Sequence, residues 1–223
     1  MPSWHPSFRR HAVQAMVSRL PNVLTFSRIV AIPIVIGLLF IGTDFGNWAA
    51  LVVYTAAGIT DFLDGYLARA WKQQSSLGRF LDPIADKLFI AAIILVLVGI
   101  DRINGVALLP AIVILCREIL VSGLREFLAE VRVGVPVSRL AKWKTTIQMV
   151  AIGFLVTADA GPNFGPLTTL EVGLYGLWAA ALLTLITGFD YLRVGLKHIQ
   201  SADAQSNKPT AEKAPRDPEI PKR

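Results

Sequence analysis

The 223-residue chain has one cysteine, three histidines and only 17% charged residues. A single Cys116, set among Ile114, Leu115 and Ile119, excludes an intramolecular disulfide and any cysteine metal cluster, and reads as a small apolar filler. His5, His11 and His198 lie near the termini without ligand spacing, which argues against a histidine metal centre. No internal repeat stands out, and no small-residue cleavage pattern closes the first apolar run as it would in a signal peptide. With charge so scarce, 53% hydrophobic residues and a mean hydropathy of +0.53, a soluble domain of this length is excluded and the bilayer is the natural solvent.

What is present fits that solvent. Apolar segments fall at roughly 23–41, 46–69, 82–100, 106–129, 141–159 and 172–195, and about 20 apolar residues are needed to cross the hydrocarbon core. The fold expected is all-α and integral to the membrane, with six transmembrane helices. Lysine and arginine concentrate in the N-terminal segment and in alternate loops, at Lys72 and Arg79, at Arg132 to Lys144, and around Arg193 and Lys197. The opposite loops carry only Arg102. This bias places both termini in the cytoplasm and accounts for the net charge of +6 without nucleic acid. Residues 1–20 mix Trp4, Phe8 and Val13 with Arg9, Arg10 and Arg19, as an amphipathic helix on the headgroup surface does. The expected catalytic domain spans 21–197. Residues 198–223, rich in proline and alternating charge from Pro209 onward, are expected to form a disordered cytoplasmic tail.

Acids at the edge of apolar spans are costly unless paired, hydrated or on metal. Asp61 and Asp64 close the second segment, and Asp82 and Asp86 open the third. Spacings of three and four residues put each pair on one helical face, and the connection 65–81 lets the two helices return antiparallel. Four converging carboxylates repel unless cations hold them, and hard oxygen donors suit Mg²⁺ or Mn²⁺. Two such ions are a recurrent arrangement for in-line displacement at phosphorus. Salt bridges to Arg69, Arg79 and Lys87 are the plainer reading of any one acid. The small Gly65 and Ala68 beside the acidic face either leave room for a nucleotide or serve helix packing, while Arg69 could bond a diphosphate oxygen.

Taken together these residues read Asp61-x2-Asp64-Gly65-x2-Ala68-Arg69-x8-Gly78-x3-Asp82-x3-Asp86. The string resembles the signature of the CDP-alcohol phosphatidyltransferases, with every defined position present. The resemblance implies that the four aspartates ligate two divalent metal ions, that Asp86 is also the catalytic base toward the acceptor hydroxyl, and that Gly65, Arg69 and Ser75 contact the CDP part of the donor, with Ala68 and Gly78 in the same donor site. Asn22, Thr25 and Arg28 are similar to the family's opening segment, which lines the donor site, although Asn22 and Thr25 also read as a helix cap. The stretch 117–126 and Lys142-x-Lys144-Thr145-Thr146 resemble bacterial members that use sn-glycerol 3-phosphate. That makes Arg117, Arg125, Lys142 and Lys144 candidates for the acceptor phosphate, against salt-bridge and membrane-anchor roles.

The activity so implied is transfer of a phosphatidyl group from CDP-diacylglycerol to sn-glycerol 3-phosphate, by direct displacement of CMP, in the bacterial inner membrane with the site facing the cytoplasm. A homodimer among membrane lipids is implied by the same resemblance. Serine, inositol phosphate and phosphatidylglycerol are the alternative acceptors. A cation transporter is the rival of another class, and it fits poorly with acids gathered at one edge rather than at midspan.

Overall fold

The structure is a computed structural model that describes residues 25–71, 76–131 and 139–206, with the backbone alone at 61–71, 76–80, 139, 141–142, 194 and 197–206. Each predicted apolar segment coincides with one helix. These are α1 (Thr25–Phe40), α2 (Asp44–Trp71), α3 (Ser76–Gly99), α4 (Leu108–Glu130), α5 (Arg139–Thr157) and α6 (Thr169–Ser206). Two short 3₁₀ turns, Gly105–Ala107 and Ala158–Ala160, complete the described elements. The expected surface helix at 1–20, together with Asn22 and Ser75, lies outside the described residues.

Local chemistry explains where the helices start and turn. Gly42, with φ of 67°, reverses the chain after α1. Thr43 then caps α2 by accepting the Gly46 amide at 3.1 Å, with Asp44 following in the first turn where the helix dipole favours an acid. At the start of α6, the Thr168 hydroxyl accepts the Glu171 amide at 3.2 Å and the Glu171 carboxylate accepts the Thr168 amide at 2.8 Å. This reciprocal pair is a capping box, and it satisfies two amides that the helix cannot. α6 continues through 198–206, which the composition had assigned to a disordered tail. Ala202 and Ala204 favour helix, and no helix-breaking proline occurs before Pro209.

The core lies among all six helices, with Val35 from α1, Tyr54 from α2, Ile93, Ile94 and Leu97 from α3, Ile114 from α4, Ile152 and Leu155 from α5, and Leu177 from α6, all buried. α5 is central, packing on α6, α2 and α3. Its approach to α6 requires glycine. A Cβ on Gly173 would stand 2.9 Å from Leu155, and one on Gly176 would stand 2.8 Å from the Ala151 Cβ. The outward faces are apolar instead of charged, with Val52, Leu95, Leu109, Ile119, Leu182 and Phe189 all exposed. Such a surface suits lipid, not water. Among the described residues, Gly105–Glu130 and Thr169–Arg193 are long and apolar enough to cross a bilayer.

Candidate active site

The polar groups gather at one end of the bundle, where α1, α3 and α5 begin. Asp61 and Asp64 lie on the last turns of α2, with their side chains outside the described set, and Asp82 and Asp86 lie one turn apart on α3. Asp82 accepts a hydrogen bond from the Thr25 hydroxyl, across from α1. Thr25 is fully buried, so it is less a cap than a fixed donor that orients the carboxylate. Arg28, the next residue along that α1 face, is also buried and reaches the cavity into which Asp86 opens.

That cavity encloses about 780 Å³ between α2, α3, α4 and α5. Its polar end carries Arg28, Asp86, Lys87, Glu118, Lys144 and Gln148. From there it runs along Tyr54, Leu51, Met149 and Phe154 to Trp48 and Phe164, an apolar path toward the opposite ends of α2 and α5. Tyr54 stacks on Phe89 with ring centroids 5.5 Å apart and donates its hydroxyl to the Met149 carbonyl at 3.1 Å, so the wall presents ring faces and not a free hydroxyl. Gly58 keeps α2 close to α5, since a Cβ there would come within 2.6 Å of the Met149 methyl.

The basic candidates divide. Lys144 is buried in the cavity wall, where its ammonium donates to Glu118. Burial of that kind is unlike a headgroup anchor, and the paired carboxylate offsets the cost of desolvating the charge. Arg117, the neighbour of Glu118, turns toward α6. One Nη donates to the Thr187 hydroxyl at 3.1 Å, another lies 3.6 Å from the Glu118 carboxylate, and its stem packs over Gly188. The structure therefore does not bring Arg117 into the cavity, and Arg125 is exposed on the outside of α4. The Lys142 side chain lies outside the described set, as do the side chains of Ala68 and Arg69 and the surroundings of Gly65 and Gly78. Gln148 is a cavity group that the sequence does not mark, and Glu118 reads from sequence only as a salt-bridge partner of Arg117. An ionisable group in the middle of an apolar segment was the available signal for Glu118.

Among the described residues no group of three or more acids, histidines or cysteines forms a metal cluster, and of the four aspartates only Asp82 and Asp86 carry described side chains. The chemistry of the donor set still fits divalent cations. It consists of carboxylates on successive turns, one of them held by a hydroxyl donor, with hard oxygen atoms only.

The described helices form a bundle with apolar outer faces, and the cavity among them is charged at one end and apolar along its length, as suits a membrane protein. The comparison with known proteins narrows this. The family model of the CDP-alcohol phosphatidyltransferases matches residues 18–186. The chain belongs to the CDP-alcohol phosphatidyltransferase family and is a phosphatidyltransferase. It is 46% identical over 179 residues to a Rickettsia bellii protein, covering 80% of this chain and 96% of that one. It is 37% identical over 214 residues to one from Cereibacter sphaeroides, covering 81% and 97%. A Haemophilus influenzae protein is 36% identical over 181 residues, covering 80% and 94%. All three are named CDP-diacylglycerol--glycerol-3-phosphate 3-phosphatidyltransferase.

Proposed function

We propose that this chain transfers the phosphatidyl group of CDP-diacylglycerol to sn-glycerol 3-phosphate, releasing CMP and forming phosphatidylglycerophosphate. The observation that supports the reading is the cavity, whose lining carries Asp86 with other charged groups at one end and apolar residues along the rest. A donor with two acyl chains and an anionic diphosphate is polar and apolar in the same order. The names of the relatives supply the acceptor.

In this reading Arg28 and Arg69 hold the diphosphate by charge-assisted hydrogen bonds, and Gly65, Ala68, Ser75 and Gly78 leave room for the nucleotide, with Asn22 and Thr25 at its edge. Lys144 receives the acceptor phosphate, and Glu118 holds that ammonium in place. Lys142 and Arg125 attract the dianion toward the mouth, and Arg117 braces Glu118 from the α6 side. Asp86 accepts the proton of the attacking hydroxyl as its oxygen bonds to the diacylglycerol-linked phosphorus and the bond to CMP breaks. Ser75 and Ser76 have no histidine in the same region of the sequence to activate them, which favours direct transfer over a covalent phosphatidyl intermediate. Asp61, Asp64, Asp82 and Asp86 would hold two divalent cations, Mg²⁺ or Mn²⁺, whose chemistry is to neutralise the diphosphate and the charge on departing CMP.

The enzyme works as a six-span homodimer in the bacterial inner membrane, with both termini and the site facing the cytoplasm.

The test is CMP release from CDP-diacylglycerol by the detergent-purified protein, with sn-glycerol 3-phosphate, serine, inositol phosphate and phosphatidylglycerol compared as acceptors. Release is expected only with sn-glycerol 3-phosphate, lost on chelation, and about 10²–10⁴-fold slower in Asp86→Asn. Release with a different alcohol would overturn the acceptor. Failure with all four in a folded, metal-supplied protein would overturn the reading.

A further inference from the structure

Gln148 lies one turn beyond Lys144 on the cavity side of α5 and is only 4% exposed. Its Oε1 is buried and accepts no hydrogen bond. Buried carbonyls without a partner are rare in proteins, because the lost hydration is not recovered. The Tyr54 hydroxyl in the same wall donates to the Met149 carbonyl and not to Gln148. Gln148 lines the cavity, so a donor on a molecule bound there can supply the missing hydrogen bond.

The acceptor, on the reading above, carries three polar groups. Its phosphate is matched to Lys144 and its reacting hydroxyl to Asp86, which leaves the C2 hydroxyl. An amide carbonyl suits that hydroxyl, since it accepts a hydrogen bond without the negative charge that would repel the nearby phosphate. We infer that Gln148 is a specificity-determining residue that accepts a hydrogen bond from the non-reacting C2 hydroxyl of the acceptor, so that the site selects a phosphorylated vicinal diol over a phosphorylated simple alcohol. The inference rests on the proposed acceptor, and the two can fail separately.

The probe is 3-hydroxypropyl phosphate, which retains the phosphate and the reacting hydroxyl but lacks the C2 hydroxyl. With CDP-diacylglycerol saturating, the wild-type protein is expected to prefer sn-glycerol 3-phosphate in kcat/KM by about tenfold to a hundredfold, the loss that follows when one buried acceptor is left without its hydrogen bond. Gln148→Met, similar in volume but unable to accept, is expected to bring the two substrates within about twofold by losing activity on sn-glycerol 3-phosphate alone, with the KM for CDP-diacylglycerol unchanged. Gln148→Glu keeps an accepting oxygen, so the preference should persist while the KM for both acceptors rises. An undiminished preference in Gln148→Met, or an equal loss on both substrates, would overturn the assignment and leave the carbonyl to water or to packing. Should Gln148→Met not fold, loss of the preference in Gln148→Glu would overturn it equally. A wild-type protein that turns over neither phosphate would overturn the acceptor reading and this inference with it.

Discussion

Thr25 shows how much a single buried hydroxyl can carry. It stands at the first described position of α1 and donates across to Asp82 on α3, so an element with none of the four aspartates positions one of them. Replacing it with valine keeps the shape and removes the donor. Thr25→Val is expected to raise the Mg²⁺ concentration needed for half-maximal CMP release by about 10–100-fold, while the apparent melting temperature in metal-free detergent solution changes little. An unchanged metal requirement would sink the idea that Thr25 orients Asp82. The pair of Lys144 and Glu118 follows the same logic, because a buried cation is tolerable only with its acid in place. Glu118→Gln is therefore expected to raise the KM for sn-glycerol 3-phosphate severalfold, with the KM for CDP-diacylglycerol left near its original value, in a steady-state comparison of the two substrates.

At the scale of elements, the end of the bundle away from the site is held by Arg102. Its guanidinium donates to Asn47 of α2 at 2.7 Å and to the Leu155 carbonyl of α5 at 3.2 Å, with the Val156 carbonyl also accepting. It thus caps the C-terminal carbonyls of α5 and ties them to α2, which lines the cavity from Trp48 to Ile59. Burial pushes the Arg102 pKa down and the nearby Asp159 pulls it up. An arginine stays charged at neutral pH under either influence. Charge bias alone predicts no arginine in this loop, and the helix cap is the reason for one. Arg102→Met leaves Asn47 and two carbonyls without their donor, at a cost of about 1–3 kcal/mol. A fall of several degrees in the detergent melting temperature is expected, and an unchanged value would show that water replaces the guanidinium without penalty.

For the whole molecule the decisive feature is the apolar exterior. Leu109 on α4 and Leu182 and Phe189 on α6 face outward and stay more than half exposed among the described residues. The proposed six-span topology makes a direct prediction in a Cys116→Ser background, which removes the only native thiol. A cysteine at Asn163, in the exposed turn before α6, should react with a membrane-impermeant maleimide on spheroplasts. A cysteine at Glu130, exposed at the end of α4, should react only after the membrane is opened. Labelling of both from the same side would overturn the topology, since one span separates them in it.

The one-dimensional pattern was enough to determine the helical class, the position of each helix and the acidic string that marks the family, because hydropathy and i,i+3 or i,i+4 spacing are local properties. It also pointed to an acid pair on α3 whose side chains the folded chain does place along one face. It was not enough to sort the basic residues. Arg117 and Lys144 look alike as cations near apolar segments, yet one turns to Thr187 on α6 and the other enters the cavity. Nor could it separate Glu118 and Gln148 from ordinary polar interruptions, or assign Arg102 its cap. Which way a side chain turns depends on the helix that packs against it, and the partners lie far off in sequence. Thr25 meets Asp82, Glu118 meets Lys144, and Arg102 meets Asn47 and α5 only when the bundle has closed. Burial then supplies the reason for each pairing, since a polar group removed from water must find its partner within the fold or in a ligand.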